Sequence, residues 1–175
     1  MFSLLIKKRI NISNLDKKSV KKVSDFLNNF GHTESIVELS DTARSAEEAA
    51  SALRVEVGAI VKSLFFLIHD DTQEIPVITL ISGDKRCNTD TIIKVLDIQG
   101  VVKRPDAKIV KEITGYSIGG VSPVALPPDI RMIIDSSLRR FDRIWSAAGH
   151  THCVFSATFS ELKKMTGSIE SDLIT

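Results

Sequence analysis

The chain has 175 residues, with 43% hydrophobic and 26% charged side chains, the balance of a soluble globular protein built on one core. Lys+Arg total 23 and Asp+Glu 22, and the formal net charge of +1 excludes a histone-like protein that coats nucleic acid over its whole surface. A local basic patch stays open.

Residues 1–6 are apolar and precede Lys7, Lys8 and Arg9, the reverse of the order in a secretory signal. Residues 1–16 read as a basic N-terminal extension and residues 17–175 as a single domain. Val20, Val23, Phe26, Leu27 and Phe30 recur at helical spacing before Gly31, which predicts an amphipathic helix over 17–30. A short strand is expected at 35–39. Ser45 and Glu48 have capping-box spacing ahead of an alanine-rich helix. Residues 61–68 and 76–82 read as two strands of a hairpin around a turn at Asp70, Asp71 and Thr72. Asn88 or Thr89 caps a helix through Leu96, and a strand follows at 101–104. Pro105 or Asp106 opens a helix to about Ile113. Residues 114–128 are punctuated by glycine and proline. Strands are expected at 131–135, 143–147 and 152–157, and Thr158 and Glu161 form a second capping box before a C-terminal helix. Hairpin-short links between many of these elements argue for an α/β fold with a mixed, largely antiparallel sheet and packed helices.

No run approaches the ~20 apolar residues that span a bilayer. Cys87 and Cys153 lie far apart without ligand-type spacing, so neither a disulfide framework nor a zinc ribbon is expected, and the cytoplasm is the simplest location. His150 and His152 have no third ligand of suitable spacing, so no metal is expected.

Lys62 is the most informative single residue. It alternates with Leu64, Phe66 and Ile68 on one face of an apolar strand, where lysine is rare without a partner. Either the strand end opens and the side chain snorkels, or the ammonium meets an anion or carbonyl at a site. Gly119 and Gly120, followed by Val121, Ser122 and Pro123, let the backbone approach a ligand and present N–H donors to a phosphate or oxyanion. A tight turn or sheet corner explains the same residues. Ser82, Gly83, Asp84, Lys85 and Arg86 lack the spacing of a phosphate-binding loop and read first as a charged turn. Asp135, at a strand end, either orients a substrate amine or begins a turn. His150, after Gly149, is a polar group for a pocket mouth. Cys153 and Trp145 read as an ordinary thiol and a core side chain.

Taken in order, residues 60–64, 82–86, 114–123, 135–138 and 145–150 resemble the YbaK/ProX family of aminoacyl-tRNA deacylases, related to the editing domain inserted in bacterial prolyl-tRNA synthetases. The resemblance covers residues 20–172. It implies a barrel-like mixed sheet and hydrolysis of the ester joining a wrong, small amino acid to tRNA, typically tRNA for proline, in trans. It implies no metal, no organic cofactor, no DNA and no membrane. The family's essential lysine falls on Lys62, and its mobile Gly-x-x-x-Pro loop falls on residues 119–123. Gly119 and Gly120 would stabilise the oxyanion. Ser63, Ser82, Gly83, Asp84, Ile118, Val121, Ser122, Pro123, Asp135, Gly149 and His150 would surround the substrate. Lys85, Arg86, Lys103 and Arg104 would form a modest rim for the tRNA backbone. Many relatives carry glycine where this chain has Ala125, and some carry a serine near the pocket where it has Ala147. Partners are aminoacylated tRNA and, as a second candidate, an aminoacyl-tRNA synthetase. The competing readings are a non-catalytic tRNA- or synthetase-binding module of the same fold, and an interaction protein that docks through its basic N-terminus.

Overall fold

The computed structural model describes residues 13–41 and 43–175, so the basic run Lys7–Arg9 lies outside the described residues. Helix α1 (Lys18–Phe30) buries Val20, Val23 and Leu27 along one stripe and ends where Gly31 turns left-handed. Just before it, the Ser13 side chain and the Asn14 backbone and side chain donate to the Glu38 carboxylate. This fixes the start of the domain to β1 (Val37–Glu38). Helix α2 (Ala46–Leu53) carries the expected capping box: Ser45 accepts from the Glu48 N–H, and Glu48 reaches back to the Ser45 N–H.

The sheet strands follow the hydrophobic pattern. β2 (Val61–His69) and β3 (Glu74–Ser82) pair antiparallel over their whole length, with Lys62 opposite Ile81. Their alternate residues feed two cores. Val61, Phe65, Leu67, Ile78 and Leu80 enter the larger one, while Phe66, Ile68, Val77 and Ile81 enter a smaller one. Both faces of the hairpin are thereby buried, which accounts for its near-continuous apolar sequence. After α3 (Ile92–Leu96), β4 (Val101–Lys103) pairs only with Leu67, Ile68 and His69. Val61 to Phe66 therefore have a strand neighbour on the β3 side alone among the described residues.

Helix α4 (Ala107–Thr114) is capped by Asp106, whose carboxylate accepts from the Ile109 N–H at 2.9 Å; Pro105 precedes the cap instead of opening the first turn. β5 (Arg131–Asp135) pairs parallel with β3 and with a short strand not expected from sequence, β8 (Ile169–Ser171). β6 (Ile144–His150) and β7 (Cys153–Ala157) form a second hairpin, and α5 (Phe159–Thr166) follows behind its own capping box.

The outcome is a mixed α/β fold with two sheets, ordered β1-β7-β6 and β4-β2-β3-β5-β8. Among the described residues the two do not close into a barrel, and a single parallel bridge between Ile60 and Trp145 joins them. Helix α1 packs on β6. The β6–β7 register shifts between Ala147 and His150, and Gly149 takes φ +83° there. A Cβ at Gly149 would lie 2.6 Å from the Ser19 carbonyl oxygen, so only glycine lets the start of α1 close against this bulge.

Candidate active site

Beyond the Ile60–Trp145 bridge the sheets part, and a cavity of about 350 Å³ opens between them. Residues 61–64 of β2 line one side, the first turn of α2 another, and Ile118, Gly119 and Val121 a third. Trp145, Ala147, Cys153 and Val154 of the second hairpin complete an apolar back wall.

Lys62 enters this cavity half-buried, and its ammonium donates to the Lys85 carbonyl. Burial pushes the ammonium below the ordinary lysine value; Glu47 and Asp84 pull it back towards the charged form, and Arg86 opposes them. Of the partners weighed from sequence for the Lys62 ammonium, a carbonyl is the one observed. Ser63, its neighbour, has a hydroxyl buried from solvent and without a hydrogen-bond partner among the described residues.

The loop opposite is braced from behind. Buried Tyr116 donates its hydroxyl to the carbonyls of Val124 and Ala125 at 3.1 and 3.2 Å, and burial pushes its phenol pKa up. Ser122 is buried and its hydroxyl accepts weakly from the Val124 N–H at 3.4 Å. Gly119 takes φ +86° at the cavity edge. The two glycines have different surroundings. The Gly120 N–H donates to the Ser117 carbonyl at 2.9 Å, and Gly120 lines a neighbouring cavity of about 650 Å³ instead.

His150 and Thr151 border both cavities. The His150 ring stacks on His152, and its Nδ1 accepts from the His152 N–H at 3.3 Å, which places the proton of the neutral ring on Nε2. Burial, and then the charge of Lys17, lower its pKa, so the imidazole is neutral at pH 7.

The structure thus gathers Lys62, Ser63, Gly83, Ile118, Gly119, Val121 and His150 around one cavity. Other residues singled out from sequence stand behind it. The Ser82 hydroxyl bonds to the Gly58 carbonyl and Asp84, and Asp84 pairs with Arg140 at 3.0 Å. Asp135 is fully buried and accepts from the Ser137 N–H and hydroxyl, capping the turn after β5. Pro123 lies beyond the lining part of the loop, and Gly149 lines the second cavity with Gly120. Lys85 reaches Thr175 at 3.3 Å, Arg104 lies over the Phe66 ring, and Lys103 pairs opposite Leu67.

Several lining residues were not marked as such by sequence. Ala46, Glu47 and Ala49 come from a helix whose capping box was evident but whose direction was not. Trp145, read from sequence as a core side chain, shares one face of β6 by simple alternation with Ala147, which the resemblance places near the pocket. Cys153 is buried with its thiol pKa pushed up to about 11, so it lines the cavity as an apolar group. Among the described residues no cluster of three His, Cys, Asp or Glu is placed to hold a metal ion, and no helix is long and apolar enough to cross a membrane.

The model of the aminoacyl-tRNA editing domain matches residues 40–165, most of the chain. The chain belongs to the aminoacyl-tRNA editing domain family. It is 26% identical over 150 residues to the uncharacterized protein YwhH of Bacillus subtilis, covering 86% of this chain and 92% of that one. It is 34% identical over 109 residues to the proline–tRNA ligase of Lactobacillus helveticus, where 62% of this chain matches 18% of the ligase. A crystal structure of a candidate trans-editing enzyme for prolyl tRNA synthetase superposes with a TM-score of 0.80 at 32% identity, over 91% of this chain and 98% of the other. The editing domain thus occupies most of this chain, whereas the matched region is a minor part of the ligase.

Proposed function

We propose that this editing domain hydrolyses the ester of mischarged aminoacyl-tRNA in trans, with tRNA for proline carrying a small non-cognate amino acid as substrate. The observation that carries this reading is the placement of a half-buried lysine and a left-handed glycine loop on one small apolar cavity. The similarity to proline–tRNA ligases supports the choice of tRNA.

Lys62 holds the 3′-adenosine end by a charge-assisted hydrogen bond to a phosphate or carbonyl oxygen, exchanging the Lys85 carbonyl for the substrate. The Gly119 N–H stabilises the oxyanion that forms when water adds to the ester carbon. The C–O bond to the ribose then breaks, and the ribose oxygen takes a proton, leaving free amino acid and tRNA. An ester needs no covalent nucleophile, and neutral Cys153 supplies none. Trp145, Ala147, Val121 and Val154 limit the side chain that fits. One methylene is worth only about 1–3 kcal/mol in such a pocket, which is why a second sieve is useful after aminoacylation. The Lys85–Arg86 rim beside Lys62 contributes to holding the terminal nucleotide.

The test is a panel of tRNAs mischarged with small amino acids, each incubated with wild type and Lys62→Ala. Wild type should clear at least one far faster than the variant. Equal clearance overturns the reading, and tight binding without turnover favours a non-catalytic tRNA-binding module.

A further inference from the structure

We infer that the basic groove beside His150 holds the phosphodiester backbone of the tRNA 3′ strand. This rests on the deacylase reading and extends it to a second surface. The groove is the cavity of about 650 Å³ that shares His150 and Thr151 with the amino-acid cavity. A ligand whose aminoacyl end fills the first cavity has this groove as the adjoining surface.

Three ammoniums line it: Lys18 and Lys22 from α1, and Lys111 from α4. Lys18 and Lys22 are one helical turn apart, with a rise of about 6 Å between them, and so present two charges along one face. All three are exposed. None pairs with a carboxylate among the described residues, whereas their helix neighbours do: Lys21 with Asp16 at 3.3 Å and Lys108 with Glu112 at 3.9 Å. Asp16 and Glu112 are thus engaged with other lysines, Asp25 of α1 does not line the groove, and residues 1–12 contain no acid. The Lys22 ammonium lies 5.6 Å from the centroid of the buried Tyr116 ring, which holds its stem over the groove. Lys17 lies close enough to depress the proton affinity of His150 and adds a further charge at the shared wall.

The other rim compares poorly. Around Lys62, the cation Arg86 shares its space with Glu47 and Asp84, and the Lys85 ammonium turns towards Thr175, so the local field is mixed. Unpaired, compact ammoniums in a groove with no lining carboxylate suit a phosphodiester, whose charge repeats along the strand.

Lys18→Gln, Lys22→Gln and Lys111→Gln keep most of each stem and remove the charge. They are made singly and together, and assayed with mischarged tRNA, with uncharged tRNA by fluorescence anisotropy, and with an aminoacyl-adenosine that carries no further phosphates. The triple variant should raise KM and Kd for tRNA about a hundredfold at ~100 mM salt, leave kcat unchanged, and leave turnover of aminoacyl-adenosine unchanged. The slope of log affinity against log salt should fall by roughly 0.7 per lysine, about 2 in all. Lys94→Gln on α3 should change neither quantity. A triple variant with wild-type affinity and slope overturns the inference, as does an equal loss with aminoacyl-adenosine. If wild type hydrolyses no charged tRNA, the deacylase reading fails, and the uncharged-tRNA arm still decides the groove.

Discussion

Alanine at Gly119 separates a catalytic role of the loop backbone from a packing role. Gly119 takes φ +86°, where an L side chain costs about 1–2 kcal/mol. The added Cβ would meet only the Thr151 Cγ2 methyl, at 3.1 Å, which has to give by a few tenths of an ångström. The fold survives that cost. For a chain of this size about 2–4 °C of Tm is lost per kcal/mol, so the melting temperature should drop by roughly 2–8 °C. Gly31→Ala is the matched control: it has φ +82°, nothing within 4 Å of the added Cβ, and a place at the far end of α1. It should show the same loss of stability with full activity. In Gly119→Ala the backbone relieves its strain by rotating the peptide that carries the N–H, and the oxyanion loses its donor. Losing such a donor lowers kcat by about 10²–10³. Single-turnover deacylation with enzyme in excess, alongside thermal melts, reads both quantities. If Gly119→Ala melts like Gly31→Ala and keeps kcat within about threefold of wild type, the oxyanion role is refuted.

Three further outcomes follow from the same structure. Lys62 is depressed by burial in the folded chain, so its charge opposes folding at neutral pH and the penalty is relieved as pH rises towards the unfolded lysine value. Lys62→Met should abolish turnover yet be at least as stable as wild type at pH 7, with a smaller gain between pH 7 and pH 10 in urea melts; a Lys62→Met protein less stable than wild type at pH 7 contradicts the burial argument. Hydrogen bonds from Arg139, then Lys163, lower the Glu170 pKa to about 2, so the carboxylate stabilises the fold above about 4.5 and that contribution is lost as pH falls towards 2. Glu170→Gln should weaken the protein at pH 7 and flatten its acid denaturation, and unchanged acid curves would count against the pair. Ala125 takes φ +55°, which is costly for a residue with a Cβ, while glycine adds freedom to the unfolded chain. Ala125→Gly should therefore stabilise the protein by roughly 0.5–1 kcal/mol in chemical denaturation, and a destabilised variant would show that the turn is held by something other than backbone preference.

Local signals carried much of the fold. Two capping boxes, the helical stripe of α1 and the double-faced apolar hairpin β2–β3 are short-range patterns, and each occurs where residue spacing placed it. Strand β8 escaped because its three residues show no periodicity and owe their pairing to β5, far away in sequence. The departure from a closed barrel also depends on long-range geometry, since one bridge at Ile60 gives way to diverging sheets. At the site, Lys62 stood out because a lysine in an apolar strand is an anomaly, and the double glycine because it is conformationally rare. Only Gly119 of the pair borders the Lys62 cavity, while the Gly120 N–H is taken by Ser117 and its α-carbon packs against the His150 backbone, which no spacing rule reveals. The groove lysines carry no local motif at all; α1 and α4 bring them together only in three dimensions.

Among the described residues, β4 leaves one edge of β2 unpaired from Val61 to Phe66. An open strand edge in water is a template on which another chain can build, and proteins usually blunt it with charge, proline or a bulge. Here residues 61–64 turn into a cavity roofed by α2 and the loop at Ile118–Gly119, out of reach of a second sheet. What would be an aggregation hazard on the surface is here given over to the wall of a cavity.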